Sequence, residues 1–152
     1  EGKQRVEHKH GIVYEGQGNV GFIHHIPTGM SMRFDGVQVE PNGDLTYISE
    51  YRHNFAAPPY IERTKLYGGI EVENRTQFIA RMSVAANIRT IKRALSFTRL
   101  ALTTHDEVLL VCPIRRSDRA LRDVVEIMQT PPSWAEGMPF GVDAHISEFY
   151  DK

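Results

Sequence analysis

The sequence predicts an α+β domain: an antiparallel β-sheet packed against one long and one shorter α-helix, with an extra N-terminal hairpin or meander. Three observations predict it. Short apolar runs separated by Pro/Gly turns fill residues 21–49, and apolar residues recur at steps of three and four over about 71–95. A second helical pattern follows Ser117. Residues 1–20 are polar and carry Gly2, Gly11, Gly16 and Gly18, so they read as a weakly specified arm ahead of a body at 21–152.

Each element has its own signal. Residues 22–26 and 30–34 flank Pro27-Thr28-Gly29 and read as a β-hairpin. Residues 37–39, ahead of Pro41-Asn42-Gly43-Asp44, extend the meander, and 45–49 supply one more strand. Residues 55–59 read as a loop, because Pro58 and Pro59 each remove a donor and bias the preceding residue away from helix. In the long helix Phe78, Met82 and Ala85 form one apolar stripe, and Val84, Ile88, Ile91 and Leu95 another. Two stripes predict a helix wedged between neighbours. Gln77 and Arg81 fall one turn apart on its polar face. Residues 98–103, then His105-Asp106-Glu107, then 108–112 read as strand, tight acidic turn, strand. Ser117 is placed to cap a second helix carrying Leu121, Val124, Val125 and Met128, which Pro131-Pro132 stops.

Composition narrows the function. A length of 152 residues fits one ordinary domain, and 18 Lys plus Arg against 19 Asp plus Glu excludes a polybasic coat. Nucleic acid would have to be met by a local patch. The longest apolar run, 108–112, is far too short to span a bilayer, and no signal peptide precedes it. One cysteine, Cys112, excludes an internal disulfide framework and a cysteine-based zinc ribbon. The expectation is a cytoplasmic protein with no membrane partner. Since the chain opens on Glu1 rather than Met, the written start need not be the start of translation.

The chemistry centres on His105-Asp106-Glu107. Two adjacent carboxylates on a hairpin turn present oxygen ligands to a hard cation, and Mg²⁺ commonly takes only one or two protein carboxylates plus waters and substrate phosphates. Taken alone, the tripeptide is more often an ordinary acidic turn than a metal site. Its surroundings say more. The segment Leu102-Thr103-Thr104-His105-Asp106-Glu107-Val108-Leu109-Leu110-Val111 closely resembles motif C of the family A DNA polymerases, which include bacterial polymerase I and many phage replicative enzymes. The stretch from Leu66-Tyr67-Gly68-Gly69 to Gln77 and Arg81 resembles the phage-type segment ahead of motif C. Pro27-Thr28-Gly29 with Arg33-Phe34 is similar to a hairpin of the same enzymes, and Pro132-Ser133-Trp134-Ala135-Glu136-Gly137-Met138-Pro139 resembles their tail. The resemblance covers roughly residues 22–152.

What it implies is the C-terminal palm of such a polymerase. Asp106 would bind catalytic Mg²⁺, with Glu107 as a supporting metal ligand and His105 beside the primer terminus. Gln77 would reach the minor groove near the nascent pair, where acceptors common to all base pairs can be checked, with Arg81 on the same DNA-facing side. Met82 stands where the family usually has an aspartate, and Met30 follows Gly29 where the hairpin usually has its basic residue. Motif A, with the other metal-binding aspartate, and motif B, which holds the incoming triphosphate, do not occur in this chain. The partners implied are therefore primer-template DNA, a deoxynucleoside triphosphate and a polypeptide or upstream stretch carrying motifs A and B. The alternative is a non-catalytic palm-derived module that binds DNA or a replication protein. Other features carry less. His8, His10, His24 and His25 would be the ligands of a zinc site that no cysteine supports, and Cys112 reads as a small buried hydrophobe. Arg89, Lys92 and Arg93, with Arg115, Arg116 and Arg119, are phosphate contacts or a solvated face.

Overall fold

The computed structural model describes residues 4–51 and 58–150, without the side chains of His10 and Tyr51. The loop expected at 55–59 lies in part outside the described residues. The fold is α+β, with a six-stranded antiparallel sheet, a two-stranded sheet and two α-helices. The chain divides into two compact units, Glu1–Thr76 and Gln77–Lys152.

In the first unit β1 (Gln4–His8), β2 (Ile12–Gln17), β3 (Val20–His25), β4 (Met30–Val39), β5 (Leu45–Tyr51) and β6 (Tyr60–Lys65) pair in sequence order, every pair antiparallel. The segment read as a polar arm thus contributes two strands. Ile12 and Val13 explain why: both are buried, and Ile12 joins Ile23 and Phe34 in the core of the sheet. Tyr14 stands opposite Ile23, which stands opposite Met32, so one face carries a continuous row of large side chains. Phe34 meets Tyr47 edge-to-face at 5.1 Å between ring centroids. The register of β4 against β5 slips between Asp35 and Gln38. Gly36 makes that bulge possible: its φ is 61°, and a Cβ there would overlap the Ile48 side chain. Arg63 closes the bulge, donating from Nη1 to the Gly36 carbonyl at 2.9 Å and to Thr46 Oγ1 at 3.0 Å.

Helix α1 (Gly68–Ala94) begins in the first unit and continues into the second, starting a few residues ahead of the periodic stretch. Its first turns are tied to the sheet. Tyr14 donates its hydroxyl to Glu71 Oε1 at 2.9 Å, and Arg75 Nη1 donates to Tyr14 Oη at 3.2 Å and pairs with Glu71 at 3.1 Å. Burial and the Glu71 hydrogen bond push the Tyr14 phenol above its ordinary pKa. On the same strand face His25 lies with Nδ1 3.0 Å from Thr28 Oγ1. Burial, and then the Arg75 guanidinium, hold the His25 imidazole below its ordinary value. The folded state therefore binds fewer protons here than the unfolded chain, and the contribution is complete above about pH 6.5 and lost as the pH falls through the folded value. Glu40 and Asp44, lowered by Gln38 and Lys65, act in a more acidic window. Between about pH 7 and 5.5 the unfolding midpoint should fall in the wild type and fall less in His25→Asn. Parallel profiles would remove His25 as the source.

In the second unit Val84 and Ile91 of α1, Leu95 just past its end, and Ala120 of α2 (Ser117–Gln129) are buried. Of the two stripes the sequence predicts, this one is buried except for half-buried Ile88; Phe78, Met82 and Ala85 are all only half-buried. Asn87 is a buried polar residue on the packed face, and its amide donates to the Met128 carbonyl at 3.2 Å, where α2 ends. Ser117 does not cap α2. It is the first helical residue, and its hydroxyl donates back to the Ile114 carbonyl at 2.8 Å, within the 3-10 turn Ile114–Arg116. Thr130 accepts the end of α2, its hydroxyl donating to the Glu126 carbonyl at 2.8 Å, and Pro131-Pro132 prevents continuation. No helix among the described residues is long and apolar enough to cross a membrane.

Candidate functional site

Strands β7 (Arg99–Thr104) and β8 (Glu107–Val111) pair antiparallel with Thr104 opposite Glu107, which leaves His105-Asp106 as a two-residue loop. The leucine and β-branched residues on both sides favour strands, and the shortness of the loop forces the carboxylates to the tip. The register shifts between Leu100 and Leu102, adding local twist to the hairpin. His105, Asp106 and Glu107 are all exposed.

His105 has φ 52°, the one positive value at a non-glycine among the described residues. Left-handed backbone costs a residue with a Cβ about 1–2 kcal/mol, and glycine escapes that cost. Histidine is therefore not what turn stability selects, and retained strain of this kind clusters at functional sites.

Two longer contacts reach the turn. Arg81 Nη1 of α1 donates to the His105 carbonyl at 3.5 Å, and the Tyr150 hydroxyl donates to Glu107 Oε2 at 3.2 Å. Gln77, exposed, lies one helical turn before Arg81 on the same face of α1, about 6 Å along the axis. The fold thus gathers His105, Asp106, Glu107 and Arg81, and sets Gln77 on the helix face that addresses them. Tyr150 is an addition to the residues singled out from sequence. It stands 43 positions from Glu107, and no local pattern signals such a contact.

Among the described residues no three His, Cys, Asp or Glu side chains converge as a metal cluster. The acidic turn supplies two hard oxygen donors, which is part of a Mg²⁺ shell. The histidines considered for zinc have other engagements: His24 Nδ1 lies 2.6 Å from Ser31 Oγ, and His25 is held by Thr28. His8 is exposed, and the His10 side chain lies outside the described residues. Cys112 is half-buried, just past β8.

No family model matches the chain, and no solved structure matches it. The chain is 27% identical over 155 positions to the DNA polymerase of Bacillus phage SP02. The match takes in 99% of this chain and 22% of that protein. This chain is therefore related to a phage DNA polymerase and spans 22% of its relative's length.

Proposed function

We propose that this chain forms the C-terminal palm of a phage-type family A DNA polymerase and contributes half of its catalytic site. The observation that carries the reading is the acidic turn: adjacent exposed carboxylates at the tip of a hairpin, on a chain similar along its whole length to a phage DNA polymerase. Asp106 and Glu107 fit Mg²⁺ in donor chemistry, since this ion keeps several waters and needs only one or two carboxylates besides substrate phosphates. When bound, the metal supplies charge stabilisation for template-directed nucleotidyl transfer, with an aspartate of motif A completing the pair of sites. Asp106 is the principal ligand and Glu107 the supporting one. The Tyr150 hydrogen bond limits the orientations open to the Glu107 carboxylate.

His105 holds the turn's outer edge beside the primer terminus, and Arg81 fixes the height of that turn against α1 through the His105 carbonyl. Gln77 extends an amide toward minor-groove acceptors, which are shared by all base pairs and so report geometry rather than sequence. The half-buried stripe of Phe78, Met82 and Ala85 offers apolar surface to the polypeptide that carries motifs A and B. Such an enzyme takes primer-template DNA and deoxynucleoside triphosphates and works in the cytoplasm of the host cell.

The test is reconstitution. The chain alone should not extend a primer, and mixing it with a polypeptide bearing motifs A and B should yield a heteromeric complex and Mg²⁺-dependent extension. Extension by the chain alone would contradict the half-site reading, and no complex with such a polypeptide would favour the non-catalytic module instead. His105→Gly separates function from stability in the same assay. The denaturation midpoint should hold or rise, by up to about 1 kcal/mol of stability, as the left-handed strain is relieved. Extension by the complex should nevertheless fall. A variant that is both destabilised and fully active would show histidine to be there for the turn.

A further inference from the structure

We infer that the open end of the β7–β8 hairpin is a second nucleic-acid contact, a basic surface that grips the phosphate backbone at a distance from the acidic turn. The antiparallel register sets Arg99 opposite Val111. Residues 96–99, leaving α1, and 112–116, entering α2, are thereby brought to one end of the hairpin. Phe97 joins them directly: the Arg116 guanidinium carbon lies 4.9 Å from its ring centroid and that of Arg119 lies 5.7 Å away. Lys92 and Arg93, the basic residues of the last turn of α1, lie within five residues of Phe97. Leu95 turns the chain tightly there, its carbonyl accepting both the backbone N–H and the hydroxyl of Thr98 at 2.9 and 2.8 Å.

The charge at this end is mainly basic, with Asp118 and Asp123 the acidic residues among 112–125. Lys92, Arg93, Arg99, Arg115, Arg116 and Arg119 are all exposed, and no acidic residue occurs from 75 to 105. Among the described residues only Arg119 of these six has a carboxylate partner, Asp123, at 3.3 Å. Structural ion pairing therefore does not account for the cluster. Cation–π contact with Phe97 holds both guanidinium groups over one ring, and the N–H groups of Arg116 can still donate to phosphate oxygens. Ile114, in the turn before α2, is 87% exposed, more than any other large hydrophobic residue described. An apolar side chain among arginines suits the mixed surface of a nucleic-acid strand, where sugars and bases alternate with charge. The five residue steps from Arg99 to Thr104 separate this surface from the acidic turn by about 17 Å, or about five steps along one strand of a duplex. One bound duplex can reach both.

The inference goes beyond the polymerase reading and is tested without a partner. Binding of a fluorescein-labelled duplex oligonucleotide to the full chain is followed by anisotropy across a salt series. Arg115→Gln/Arg116→Gln/Arg119→Gln should weaken binding about tenfold or more at low salt and make log affinity against log salt shallower by about two to three. Arg99→Gln/Arg115→Gln, which leaves the Phe97 stack intact, should show a smaller loss of the same kind. Arg5→Gln/Arg33→Gln/Lys65→Gln, which removes equal charge from the first unit, should change little. Undetectable binding by the wild type, equal loss in the first-unit variant, or polyglutamate binding to the patch in place of the duplex would overturn the inference. Duplex binding through the patch by a chain that fails reconstitution would refute the polymerase reading and leave this one standing.

Discussion

Asp106→Asn should lower primer extension by the reconstituted complex about a thousandfold or more, equivalent to ~4 kcal/mol of transition-state stabilisation. The amide keeps the shape of the side chain and removes the negative charge that a hard cation requires. Asp106 is exposed at the tip of a hairpin, so the change should leave the fold and the complex with the motif A and B polypeptide intact. Glu107→Gln should cost less, about tenfold, because its carboxylate shares its hydrogen bonding with Tyr150 and supports rather than leads. Extension rates and oligonucleotide affinities measured together check the assignment. Wild-type turnover in Asp106→Asn would remove the acidic turn from the chemistry.

Ile91→Ala should be the most damaging of the stability variants, costing about 3–4 kcal/mol. Ile91 is 0% exposed, on the face of α1 that also buries Val84 and Leu95, so truncation leaves a cavity that a packed helix cannot fill. A unit of this size has only about 4–11 kcal/mol in total. The variant should therefore unfold at markedly lower denaturant concentration, while Ile91→Val loses about 0.5–1.5 kcal/mol. Loosening α1 also loosens the Arg81 contact to the His105 carbonyl, so residual activity should fall together with stability. If Ile91→Ala were no weaker than Ile91→Val, the second unit would not be packed around this residue.

The strands legible in the sequence are those with a buried face or a strong turn. β3, β4 and β5 carry apolar runs between Pro/Gly turns, and β7 and β8 bracket the two-residue loop His105-Asp106. The missed strands are the edges. Every residue of β1 is exposed, and in β6 all but Thr64 are, so neither has an apolar face to generate alternation. Their charges, Arg5 and Glu7 on one edge and Glu62, Arg63 and Lys65 on the other, suit edges that must not recruit further strands. β2 was hidden for a different reason: Ile12, Val13 and Tyr14 are diluted by glycine and charge, and their burial depends on Ile23 and Phe34 farther along the chain.

The candidate site divides along the same line. His105, Asp106 and Glu107 are local, an acidic turn between strand-like runs, and Gln77 and Arg81 share a helix face by spacing, whereas their assignment to one site is what the resemblance implies. The positive φ of His105, the Tyr150 contact and the stacking of Arg116 and Arg119 on Phe97 depend on register and on residues distant in sequence. Those could emerge only from the folded chain.

Cleavage by redox-active iron offers the most direct test of the acidic turn as half of a metal site. In the reconstituted complex with primer-template DNA, Fe²⁺ replaces Mg²⁺, and ascorbate with peroxide then generates radicals that cut backbone near the bound ion. Cuts are expected in this chain at residues 104–108 and in the partner at its motif A, with both suppressed by excess Mg²⁺ and those in this chain abolished by Asp106→Asn. Cuts confined to the partner, or unchanged in Asp106→Asn, would contradict a metal held by this turn.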